Sequence, residues 1–212
     1  IINSFSFGET INKNLKSLVS NYFHYHILLN DKPIFKPYSD EVKVTKTGFD
    51  KIADIHFITF TIDREPAAYG WYGRRKEFIG SISKGDDSAG LRVRVGNILL
   101  GDEHLLDRCF REDRFNSYLI GEIHVIHPEL IPNSRRDDFI DNNFKTKFYN
   151  TIEKEIGLPL SKEIRLRSRL KSNNISDKHI PNESQIDNNI NNYNKNNTKN
   201  KVSIHNDNYL KN

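Results

Sequence analysis

Apolar residues spaced two or four apart mark out most elements of this chain. Near the start, Ile11, Leu15, Leu18, Val19 and Tyr22 recur at helical spacing in GETINKNLKSLVSNYF, which predicts an amphipathic helix. Two short apolar runs in YHILLNDKPIFKP flank Asn30 to Lys32 and predict a hairpin. ADIHFITFTID (Ala53 to Asp63) alternates Ile55, Phe57 and their two-residue successors with polar neighbours, then turns fully apolar and β-branched, as a half-buried strand does. AAYGWYGRRKEFIGSI is aromatic and Gly-rich, a strand with a loop closing over another element.

The second half is patterned more sharply. In LRVRVGNILLGD, Leu91, Val93 and Val95 face one way and Arg92 and Arg94 the other. A helix is predicted to begin near Asp102, with Leu105, Leu106, Cys109 and Phe110 on one face, followed by a strand over Tyr118 to Ile126 that ends at His127-Pro128. NSRRDDF (Asn133 to Phe139) reads as the start of a last helix: Ser134 and Asp137 have the spacing of a capping box, and Ile140, Phe144, Phe148, Ile152 and Ile156 form a stripe that Gly157 and Pro159 stop. Helix, strands, helix, strand, helix predicts an α+β fold, a mixed β-sheet packed against helices.

Composition divides the chain. From Asn173 onward there are 14 Asn in 40 residues. Such a stretch buries too little apolar area to offset its chain entropy, so residues 172–212 are expected to be a disordered tail after a domain spanning 1–171. Cys109 is the single cysteine, which excludes an intramolecular disulfide and a thiolate zinc cluster and suits a cytoplasmic setting. No apolar run reaches the roughly 18 residues of a membrane span. The chain contains no Met, even at position 1, which points to a piece of a longer polypeptide. Net charge is +4, and Ser161 to Lys171 holds five Lys or Arg against one Glu.

Chemistry is sparse. Glu122, His124, His127 and Glu129 fall within eight residues but match no metal motif, so no metal site is expected. A nuclease with Asp and then Glu-x-Lys would need lysine where His124 stands. GxSxG, P-loop and dinucleotide-binding glycine patterns are absent. The arginine pair remains. In the first turn of a helix, Arg135 and Arg136 would be repelled by the macrodipole, by up to about 1 kcal/mol. Either they pair with Asp137, Asp138 or Glu129, or they and the free backbone amides form an anion site that takes a phosphate.

LRVRVGNILLGDEHLLDRCF, then YLIGEIHVIHPELIPNSRRDDF, then a long amphipathic helix resembles the middle, or transducer, domain of the GHKL ATPases, especially the ninety-kilodalton heat-shock chaperone branch and its bacterial relatives. There the same order of elements leads to L-P-L-N-I-S-R-E; LIPNSRRD sets Leu130, Asn133, Arg136 and Asp137 on matching residue types, with Arg135 in place of the family's Ser. The resemblance covers about Ile52 to Ile156. It implies a ribosomal-protein-like β-α-β architecture and a catalytic role for Arg136, reaching the γ-phosphate of ATP held with Mg2+ by a preceding ATPase domain. Arg135 is then its neighbour or substitute, while Asn133 and Ser134 shape the loop at the nucleotide. It further implies a client protein, a homodimer and no membrane. The family's nucleotide-binding motifs are absent from these residues, so the chain alone is not expected to hydrolyse ATP. Trp71, Tyr69 and Tyr72 are candidates for client or interdomain contacts, or for core packing. A second function class stays open, a nucleic-acid-binding module using Arg92, Arg94, Arg165, Arg167 and Arg169. So does a plain interaction scaffold.

Overall fold

The computed structural model describes residues 5–19, 22, 27–44, 48–78 and 80–176. The fold is α+β. Its centre is a six-stranded sheet built from β3 (Glu41–Lys43), β4 (Phe49–Ile62), β5 (Glu65–Arg75), β6 (Gly90–Val95), β7 (Ile98–Leu100) and β8 (Ile120–Val125), in the order β3-β4-β5-β8-β6-β7. All neighbours are antiparallel except β6 and β8, which run parallel with Arg92 beside Glu122 and Arg94 beside His124. The predicted hairpin forms separately as β1 (Ile27–Leu29) and β2 (Lys32–Ile34). Its turn residues Asn30 and Asp31 have φ of 49° and 59°, and Asp63 and Arg64 between β4 and β5 have 51° and 73°. Two consecutive left-handed residues make the turn whose twist matches that of paired strands.

Both faces of the sheet are covered. On one, Phe60, Leu91, Val93 and Ile123 meet Phe148 and Ile152 of α2 (Asn143–Ile152) and Ile156 beyond it. Burying each such side chain stabilises the fold by roughly 1.5–3 kcal/mol. On the other, Ile11 and Leu15 of α1 (Gly8–Leu18) pack with Phe5, Trp71, Ile82 and Ile120. Trp71 is therefore a core residue, 1 % exposed, and Tyr72 is half-buried against the first core. The alternation of β6 is as predicted, with Leu91 and Val93 buried and the arginines on the opposite face. β8 carries Gly121, where a Cβ would overlap the Trp71 carbonyl and the Tyr72 Cα of the neighbouring strand.

Several expected elements differ. The pairing of β4 with β5 is irregular between Ile52 and Asp54 and between Phe60 and Thr61; Phe60 and Ile62 enter the core, while Phe57, on the opposite face from Phe60, is exposed. The helix expected near Asp102 is a run of turns with a 3-10 segment at Asp107–Cys109. The Asp102 carboxylate accepts the His104 N–H (2.8 Å) and the Asn116 amide donates to the Glu103 carbonyl (2.7 Å), so side chains take groups that a helix would need. The apolar residues of this stretch nonetheless turn inward, Leu105, Leu106, Cys109 and Phe110 all being buried. No helix opens at Ser134. α2 starts at Asn143, capped by Asn142, whose Oδ1 accepts the Lys145 N–H at 2.8 Å. Nor does Gly157 end it. The chain passes through a π-helical turn, Glu153–Gly157, into α3 (Leu158–Ser176). Gly157 is required for another reason: a Cβ there would overlap the Cys109 carbonyl.

The chain divides into two units, 1–164 and 165–212. In the second, the described residues 165–176 are the end of α3, so helix occupies the first five positions of the expected tail. The remainder of that tail, 177–212, lies outside the described residues. No described helix is long and apolar enough to cross a membrane.

Candidate functional site

The loop from Asn133 to Phe139 is a closed turn held at both ends. Pro132 and Phe139 form an isolated antiparallel bridge, the Asn133 N–H donates to the Asp138 carbonyl (2.9 Å), and the Arg136 N–H donates to the Asn133 carbonyl (3.0 Å). The Asn133 side chain crosses the turn, donating to Asp137 Oδ1 at 2.6 Å and accepting the Asp137 N–H at 3.3 Å. These bonds occupy the groups that a capping box would have used. Asn133 therefore does shape the loop, while Ser134 is simply exposed.

The two arginines diverge. Arg135 has a side chain 82 % exposed, with Nη2 2.6 Å from Asp137 Oδ2. Arg136 has φ of 56°, a left-handed conformation that disfavours any residue with a Cβ. Its carbonyl accepts the Gly101 N–H (2.8 Å), its Nη2 lies 3.4 Å from the Val95 carbonyl, and its Nε is buried with no hydrogen-bond partner among the described residues. Arg136 thus ties the loop to the β6–β7 hairpin, and Arg135 points away from it.

Arg135 borders a surface cleft of ≈500 Å3, whose other lining residues include Arg108, Asn133, Asp137, Asp138 and Lys145. Lys145 pairs with Asp138 at 3.0 Å and Asp141 at 2.6 Å, and Arg108 approaches Asp138 at 3.4 Å. Burial alone would raise the Asp138 carboxyl. Hydrogen bonds from Tyr149, Lys145 and the Phe139 N–H outweigh it and hold the group below the usual range. The cleft wall is consequently an ionic lattice built around Asp138 and Lys145, with Arg135 the most exposed of its cations.

A second charged group escaped the sequence. Glu122 is fully buried on β8 and receives Lys36 Nζ at 2.6 Å, Arg94 Nε at 2.6 Å and His124 Nε2 at 3.2 Å. Burial opposes its ionisation, but the His124 hydrogen bond and the charges of Lys36 and Arg94 prevail and keep it a carboxylate. Burial pushes His124 below its ordinary value despite Glu122. Tyr22 stands edge-on to His124 with ring centres 5.3 Å apart; burial and the nearby Glu122 charge raise its hydroxyl to about 12. Arg92 donates to the Ala89 and Asp87 carbonyls. Arg92 and Arg94 are accordingly committed within the fold. The i, i+2 spacing of Glu122 and His124 was a visible hint of a shared face, but Lys36 lies 86 residues from Glu122.

Cys109 is buried, and burial raises its thiol to about 12, which makes it a poor nucleophile. Among the described residues, no three His, Cys, Asp or Glu side chains are grouped as a metal ion would need. No family model matches the chain, and no curated protein matches it.

Proposed function

We propose that this chain is the coupling domain of an ATPase of the GHKL type, similar to the middle domain of the ninety-kilodalton heat-shock chaperones, working in the cytoplasm. It would lend an arginine to the γ-phosphate of ATP held, with Mg2+, on a separate nucleotide-binding domain. The observation that carries this role is the exposed Arg135 guanidinium on a loop whose backbone is fixed by its own hydrogen bonds. An arginine that stabilises charge on a transferring phosphoryl group must be placed in advance, because reorganisation at the moment of reaction forfeits the benefit. The Asp137 partner does not prevent release, since an exposed ion pair is worth about 0–1 kcal/mol.

This reading exchanges the roles that the family motif suggests for the two arginines. Arg135 is the group assigned to the phosphate, and Arg136, tied to Val95 and Gly101, positions the loop. Joining the chain to a GHKL nucleotide-binding domain and measuring steady-state ATP hydrolysis tests this. Arg135→Ala should lower kcat by about 10³-fold with nucleotide affinity retained. Arg136→Ala should lower it less and also reduce Tm. Undiminished turnover in Arg135→Ala would reject the assignment.

A further inference from the structure

Charge on the α1-covered face of the sheet does not balance. Lys36 and Arg94 both bond to the single Glu122 carboxylate, and Arg92 stands beside it in register, satisfied by backbone carbonyls alone. Three cations thus face one buried carboxylate. The Lys36 and Arg94 side chains are largely but not wholly withdrawn from water, so the surplus positive charge favours an anion that can reach it.

Next to this cluster is a cavity of ≈150 Å3 lined by Val19, Arg94, Gly96, Asn97, His124 and Ile126, among others. Arg94 uses Nε on Glu122 and Nη1 on the Asn97 carbonyl (3.1 Å), so its Nη2 has no hydrogen-bond partner among the described residues. His124 uses Nε2 on Glu122, and its Nδ1 is likewise without one. Since Glu122 is a carboxylate and can only accept, Nε2 must carry the proton that it donates. In the neutral ring Nδ1 is then an acceptor. The two lining groups therefore ask for opposite things: Arg94 asks for an anionic acceptor, and His124 for a donor.

We propose that this cavity binds the phosphate group of a small ligand in its hydrogen phosphate form, with P–O⁻ accepting from Arg94 and P–OH donating to His124 Nδ1. At about 30 Å3 per water, the cavity holds roughly five waters, room for a tetrahedral oxyanion but not for a nucleotide. A carboxylate or a sulfate satisfies Arg94 but has no hydrogen to give His124. The site is separate from the Asn133–Phe139 loop and does not depend on the role proposed for it.

The test is a titration of the intact chain at pH 7 and constant ionic strength with inorganic phosphate, methyl phosphate and sulfate, following the His124 ring resonances. Phosphate is expected to shift them saturably and sulfate to bind at least tenfold more weakly. Equal binding of methyl phosphate would identify the end of an ester as a suitable occupant, and binding of inorganic phosphate alone would identify the free ion. Arg94→Lys, which keeps the charge opposite Glu122 but removes the second guanidinium nitrogen, should weaken phosphate at least tenfold. Ile126→Trp, which fills the cavity without altering the charges, should abolish the shift. Equal responses to phosphate and sulfate, no response to either, or full binding by Arg94→Lys would overturn the proposal.

Discussion

Two charged regions of this protein use the same functional groups in opposite surroundings. In the Asn133–Phe139 loop, the Arg135–Asp137 pair stands at the surface, with side chains 82 % and 47 % exposed. Beneath α1, Arg94 and Lys36 meet Glu122 with the carboxylate wholly buried. An exposed pair can exchange partners at almost no cost, whereas a buried carboxylate deprived of its cations is left uncompensated. Solvation, and not the count of arginines, decides which guanidinium is free to act on something else. Arg94 is held in place by Glu122 and the Asn97 carbonyl, with only Nη2 left for a ligand, whereas the whole Arg135 guanidinium can change partner.

The largest effect that would break this contrast is Glu122→Ala. It strands Lys36 and Arg94 with surplus charge and should destabilise the protein by about 3–5 kcal/mol in urea unfolding; a loss under 1 kcal/mol would mean that the cluster is effectively in water. Acid should expose the same difference. The folded-state values of His124 and Glu122 are both depressed, so the unfolded chain takes up protons first as pH falls. Stability should be complete above the ordinary histidine value of 6.5 and decline below it. In His124→Gln the decline between pH 7 and pH 5.5 should flatten, which Tm measured against pH will show.

Smaller effects sharpen the loop side. Arg136 occupies a left-handed position, so Arg136→Gly should be more stable than Arg136→Ala by about 1 kcal/mol, because glycine alone takes that conformation without strain. Equal stabilities would indicate a different turn. Arg135→Ala should change stability by no more than about 0.5 kcal/mol, the ordinary result for a surface substitution. A larger loss would make Arg135 a structural residue and remove its freedom to reach a phosphate.

Much of the fold could be read from spacing alone. The strands β6 and β8 and the β1–β2 hairpin follow their apolar patterns because alternation and turn residues are local signals. What escaped was decided at longer range or by side chains competing with the backbone. Asn116 takes the Glu103 carbonyl and ends the helix expected near Asp102. Asn133 and Asp137 close a turn where Ser134 and Asp137 suggested a helix cap. Phe57 of β4 is exposed although it alternates as a half-buried strand residue should, because periodicity within a strand does not say how far the neighbouring elements cover its face. At the candidate site the arginine pair was legible, but which member faces outward was not, since that depends on a carbonyl of β6 and an amide beyond β7. The Glu122 cluster needed Lys36, brought from far along the chain by the fold itself.

The most direct measurement is the side-chain 15Nε–H spectrum of the arginines, recorded on the chain joined to a GHKL nucleotide-binding domain, before and after a nonhydrolysable ATP analogue is added. The Arg135 resonance is predicted to shift and gain protection from solvent exchange while Arg136 changes little. An Arg135 signal unmoved by saturating analogue, above all with Arg136 shifting in its place, would contradict the account.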